Sequence, residues 1–295
     1  GHNRSAIYAG VVSGTRGPTK IGMGLEQICR RYNFTGNWAV NGGTLNYNGS
    51  LASSGQLTVN GSGANSIINI GSGADIVIAG SNHSVLVGNN AAGVGAVVQS
   101  GGSISTNLTG GYQGIQIGSA ANAYGYYNLS GGTILVSEVD IGGFSGQPTG
   151  VFDMTGGTMT VGTWFIVGRT GNGGGSSVFN MTGGTANIIT PFNAQFMMNW
   201  SANATQSAVI NVANANLNAT NATGGVLNMA RSGTAGEFSG VNLLSGGVMW
   251  VQGVNAANTA GTSHFNFNGG TLKASTANNA LITANVSLAN VYSGG

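Results

Sequence analysis

One phrase recurs along the chain: YYNLSGGTILV from Tyr126, VFDMTGGTMTV from Val151, VFNMTGGTANI from Val178 and HFNFNGGTLKA from His264. Each sets an aromatic, an Asn or Asp, an apolar residue and a small polar residue ahead of Gly-Gly-Thr. Registered on the amide or carboxylate, the phrase extends to Asn46, Asn69, Asn128, Asp153, Asn180, Asn211, Asn242 and Asn266, with Gln99 of VVQSGG filling the one gap. A second marker, an apolar pair followed by Gly, moves in phase with the first and ends at Val87, Ile117, Ile141 and Val167. A repeat this short, holding two or three brief strands, cannot bury its own apolar face; stacking on its neighbours does.

The stretches TLNYNG, QLTVNG and FNFNG alternate as strands do. With 55 Gly but only 3 Pro, and without Gly at every third position, the chain is not collagenous. At 41% hydrophobic and 5% charged residues it is not a disordered, self-repelling polymer either. These observations predict an all-β fold, a right-handed parallel β-helix (β-solenoid) of about nine coils over residues 39–280. Equivalent strands would lie about 4.8 Å apart, giving a rod on the order of 40 Å long. The Gly-Gly pairs mark sharp turns, some at positive φ. GRTGNGGGSS (168–177) and GGFSGQPTG (142–150) read as outward loops that absorb the variation in repeat length.

The Asn column predicts a ladder of amides hydrogen-bonded along the axis, which would satisfy buried donors and acceptors, with Asp153 at an exposed point on it. Tyr127, Phe152, Phe179 and Phe265 predict a column of stacked rings beside it. The other reading of both columns is a sugar-binding strip.

FNMTGGT, FDMTGGT and YNLSGGT, each followed about ten residues later by an apolar pair and Gly, resemble the autotransporter-associated β-strand repeats of bacterial surface proteins. The resemblance covers about residues 40–275. It implies an extracellular β-solenoid passenger that serves as adhesin, surface coat or spacer. It carries no implied catalytic residue, and no translocating barrel is visible.

The two ends read differently from the middle. Residues 1–38 hold Arg4, Arg16, Lys20, Arg30 and Arg31 against the single acid Glu26, whereas the remainder has three cations and five acids. Ile21, Leu25 and Ile28 follow a helical spacing, so a weak amphipathic helix from Thr19 is expected inside a non-repeat cap or connector. Removing 1–38 is then expected to leave a folded rod that cannot assemble. Residues 281–295 read as a final strand, with Ile282, Ala284, Val286 and Leu288 alternating. Arg16, Lys20, Arg30, Arg31, Ile282, Val286 and Leu288 are the candidate contacts between subunits.

Chemistry is sparse. Among six acids only Glu138 and Asp140 are close, at i and i+2 on one side of a strand. His2, His83 and His264 show no metal-binding spacing, and GSGADIVIAG around Asp75 is a lone echo of a tandem calcium repeat. Cys29, the only cysteine, reads as a small buried hydrophobe. A partial Thr column (Thr44, Thr133, Thr158, Thr185, Thr271) lacks the second rank that ice binding requires. A formal net charge of +2 gives no footprint for nucleic acid, and no apolar run reaches the roughly 20 residues of a membrane helix. The opening at Gly1, without a signal peptide, suggests a processed or excerpted polypeptide.

The expectation is therefore a structural, extracellular or cell-surface solenoid that associates with itself into a layer or filament. It needs no cofactor and carries no enzyme activity. The alternative is an adhesin or spike-like module that grips glycans through Trp164, Phe165, Phe192, Phe196, Trp200 and Trp250.

Overall fold

A computed structural model describes residues 6–8, 10–61, 65–79, 84–108, 114–143, 146–169, 174–189, 195–220, 225–276 and 280–293. Every regular element among them is a β-strand, and the named strands all pair in parallel. Each coil from the first through that of Gly253–Ala256 contributes to all three stacks, and the last coils do so only in part. Sheet one contains twelve strands, from Ala6–Tyr8 to Leu288–Val291; nine of them lie between Gly43 and Asn268, the span read as nine coils. The other two stacks belong to one continuous network. Strands Thr133–Ile141 and Thr158–Val167 run through both, with a register shift between Val136 and Glu138 where the sheet bends.

The pattern of apolar residues explains this closure. On sheet one Leu45, Ile68, Val97, Tyr127, Phe152, Phe179, Ile210, Val241 and Phe265 occupy successive rungs of one inward column, all fully buried. The four aromatic residues picked out by the repeat all lie in it. Tyr127 meets Phe152 at 4.9 Å and Phe152 meets Phe179 at 5.3 Å between ring centroids. On the third face the second marker forms its own inward column, Val87–Ile117–Ile141–Val167. With side chains alternating at period two, every strand gives one face to the core, and only stacking gives that core its length.

The marker glycine turns the corner from the third face back to sheet one. Gly88, Gly118, Gly142 and Gly168 have φ of 68°, 70°, 89° and 90°. Asn199 and Ala230 take the same left-handed conformation in later coils. One glycine of each Gly-Gly turn is also left-handed: the second in most, for example Gly132 at φ 81° and Gly157 at φ 72°, and the first at Gly246 and Gly269.

The terminal segments depart from expectation. Residues 19–28 are not helical: Thr19–Lys20 and Leu25–Ile28 are strands paired in register with the coil above. Ile21 and Leu25 are exposed and only Ile28 is buried, so the helical spacing was coincidental. Gly22 at φ 81° supplies the turn that separates the two strands. Within 1–38, Tyr32, Phe34 and Trp38 are buried; Tyr32 and Trp38 pack against Tyr47, and Phe34 against Tyr32. Deleting the segment would therefore strip core from the first rungs, contrary to the expectation of an intact rod.

At the other end, alternation from Ile282 to Leu288 is not a strand. Ile282 makes a single parallel bridge to Val254, the chain turns at Thr283–Val286, and the strand begins at Leu288. Cys29 is exposed rather than buried. Parts of both expected outward loops, residues 144–145 and 170–173, lie outside the described residues. Among the described residues no helix is long and apolar enough to cross a membrane.

Candidate functional site

The Asn column faces outward on sheet one, half-buried, rather than into the core. From Asn180 upward each amide donates to the residue one coil below: Asn180 Nδ2 to Asp153 Oδ1 at 2.8 Å, Asn211 to Asn180 at 2.6 Å, Asn242 to Asn211 at 2.7 Å and Asn266 to Asn242 at 2.8 Å. Asn290, which the sequence pattern did not single out, extends the series by donating to Asn266 at 2.8 Å. A separate pair, Asn69 donating to Asn46 at 2.7 Å, lies below.

Between these runs the register puts Val98, not Gln99, in the column. Gln99 points inward, fully buried, where it accepts a hydrogen bond from Tyr127 at 2.6 Å and donates to Thr133 O at 3.1 Å. The turn, rather than the amide, sets the register: SGG aligns Gln99 with Leu129.

Asp153 is where the upper run of the ladder ends. A carboxylate accepts only, so it cannot donate to Asn128 as an amide would. The Tyr126 hydroxyl bridges the step by reaching across from the previous rung and donating to Asp153 Oδ2 at 2.9 Å. Burial, then the bond to Asp153, pushes the Tyr126 hydroxyl up to about 12, so this donor keeps its proton at neutral pH. Donors thus converge on Asp153 from both directions, and each bond to it is charge-assisted. Along the turn beside the ladder runs an open groove of about 500 Å³, lined by Asp153, Thr155, Asn180, Thr182, Asn211 and Leu244 among others.

The second concentration of chemistry lies on the third face. Glu138 and Asp140 do share one side of their strand, and both meet Arg169 Nη1, Asp140 Oδ1 at 3.0 Å and Glu138 Oε1 more closely. All three are buried, the carboxylates to 1% and 0% exposure. Outward positions on this face are covered, and Leu108 lies directly against Gly162, two coils away. Two carboxylates facing one guanidinium in a dry site cannot both be ionised at low cost. Burial pushes Asp140 well above the usual carboxylate range, which lessens the excess of acid over base in the cluster. Arg169 also stacks on Trp164 at 4.9 Å and on Trp200 at 5.7 Å, and Arg231 covers Trp200 at 5.6 Å. Neither arginine stood out in the sequence, because both lie in corner loops of unequal length.

The remaining candidates fall as follows. Phe165 and Phe196 are core residues, and Phe192 lies outside the described residues. Trp250 is 43% exposed, with its indole donating to Ala274 O at 3.1 Å. Thr133, Thr158 and Thr185 occupy one column, but Thr44 belongs to sheet one and the rank beside them is Leu135, Thr160 and Asn187. His2 and His83 lie outside the described residues, among which no group of three metal-ligating side chains occurs.

Of the proposed contact residues, Arg16, Arg30, Arg31 and Leu288 are exposed, Ile282 is partly exposed and Val286 is 9% exposed. Lys20 is not available. It ends an inward column above which stand Val40, Val59 and Val87, and its ammonium donates to Gly42 O at 2.8 Å and Gly22 O at 3.0 Å. Burial lowers its affinity for the proton and Glu26 partly restores it. Comparison with family models, curated proteins and solved structures returns no match.

Proposed function

We propose that the protein is a structural, extracellular β-solenoid that associates with copies of itself end to end into a surface layer or filament. The observation that carries this reading is the exposure of large apolar side chains on the outermost described coils. At one end Ile7, Val11, Ile21 and Met23 are 75%, 68%, 69% and 56% exposed; at the other Val291 and Tyr292 are 72% and 51% exposed. Strand edges at the same places have no neighbour on their outer side among the described residues. Such edges template further pairing. The sparse charge and the resemblance to surface-protein repeats support display outside the cell.

Charge contributes little to this joint. Glu138, Asp140 and Glu237 are buried, which leaves Arg16, Arg30 and Arg31 only the exposed Asp75 and the half-buried Asp153 as acids on the body surface. Association should therefore survive raised sodium chloride, which screens exposed charges within a few ångströms. Sedimentation velocity of Ile21→Glu, Met23→Glu and Val291→Glu variants tests the joint. Monomers with unchanged thermal unfolding are expected. Wild-type assembly by all three, or dissolution by salt alone, contradicts the reading.

A further inference from the structure

The outer face of sheet one has a composition that end-to-end association does not use. On the rungs beginning at Tyr124 and Thr149, the outward side chains are Tyr124, Tyr126 and Asn128, then Thr149, Val151 and Asp153. Tyr124 is 40% exposed, on the same side of its strand as Tyr126. Asp153 is the one charged side chain on this face from Tyr124 through the rung of Asn211. Beside it lies the groove lined by the ladder and the hydroxyls of Thr155 and Thr182.

We propose that this face, centred on Tyr124, Tyr126 and Asp153, binds a neutral, linear β-linked polysaccharide laid across the rod, along the strands. A pyranose offers an apolar face to an aromatic ring and vicinal hydroxyls to planar polar groups. Tyr124 supplies an accessible ring. Asp153 has spent one acceptor site of each oxygen, on Tyr126 and Asn180, and keeps others. Each ladder amide donates one N–H along the column and retains a second.

Tyr124 and Tyr126 follow one another along one strand, and Asp153 stands one rung on, four strand positions beyond the residue opposite Tyr124. That span is on the order of 13 Å, so a run of about three sugars laid along the strands reaches from the ring to the carboxylate. The ladder also fixes the side chains before the sugar arrives, which removes much of the ordering cost of binding. The charge on the face selects against acidic glycans: a carboxylate or sulfate would approach Asp153 with no cation beside it.

The test titrates the full chain calorimetrically with three neutral β-1,4-linked hexasaccharides (cellohexaose, mannohexaose and chitohexaose) and with hexamannuronate. The last keeps the mannan's linkage and replaces each C6 hydroxymethyl group with a carboxylate. At least one neutral hexasaccharide is expected to bind, with hexamannuronate weaker by on the order of tenfold, about 1.4 kcal/mol. Tyr124→Ala should weaken the neutral sugar by a similar factor. Asp153→Asn should also weaken it while preserving the fold, since Asn is the column's own residue. Trp250→Ala, on another face, should bind as wild type. Silence with all three neutral sugars, equal binding of the uronate, or full affinity in Tyr124→Ala overturns the proposal. The site is independent of the end joint, so Val291→Glu should bind sugar unchanged.

Discussion

Gly125→Val is expected to destabilise the middle of the rod by more than about 4 kcal/mol, the range reserved for buried backbone clashes. Gly125 lies on the inward side of sheet one, where the preceding corner folds back against it. A Cβ there would overlap the backbone nitrogen of Gly118 and come within 2.7 Å of Val87 O. Both obstacles are main chain and cannot swing aside. Gly95 and Gly150 occupy the same column one rung below and above, each against corner backbone in the same way. Farther along, the column changes to Ser177, Ala208 and Ser239, all buried. Ser177→Ala should therefore cost under about 1 kcal/mol, because its hydroxyl makes no hydrogen bond among the described residues. Chemical denaturation of the pair decides the matter. Equal stability of Gly125→Val and wild type would mean that the corner does not pack as described.

The second large effect concerns charge. Arg169→Met removes the guanidinium from Glu138 and Asp140 and leaves an acidic charge buried without a partner. Breaking such a pair from one side typically costs about 3–5 kcal/mol. The loss should be greatest near neutral pH and shrink on acidification, as protonation removes the stranded charge. Asp140→Asn separates this from mere packing. Because the native Asp140 carboxyl titrates well above its unfolded value, its contribution is fully present below about pH 4 and is lost as pH rises through the native value. Relative to Asp140→Asn, the wild type should thus weaken as pH rises through that window. Thermal unfolding across pH reads both variants. A pH-independent deficit in Arg169→Met would assign the role of Arg169 to its stacking on Trp164 and Trp200 instead.

Much of this architecture was legible because the repeat is written in residues that stacking itself requires. Asn180, Asn211, Asn242 and Asn266 align in the sequence because each must present the same amide to its neighbour one coil away. Gly88, Gly118, Gly142 and Gly168 align because the corner needs a left-handed residue. What escaped notice lacked that enforcement. Gln99 looked like a ladder amide because it is chemically an amide, yet the turn fixes its register and turns it inward. Residues 1–38 contain no Gly-Gly phrase, and their short strands owe their pairing to the coil above, so the spacing of three apolar residues suggested a helix. Arg169 and Arg231 stand in corners whose lengths vary, where no interval could bring them beside Trp200. Asp153 was visible as an exception in the column, but the meeting of donors on it depends on Tyr126 reaching across from the previous rung.

The central claim is that this rod is a building element. Its most direct test is negative-stain electron microscopy of the full chain at two concentrations. Twelve rungs at about 4.8 Å predict a unit of roughly 55 Å. Filaments with an axial repeat near that length, more abundant at the higher concentration, are the expected result. Isolated short rods at both concentrations would contradict end-to-end assembly.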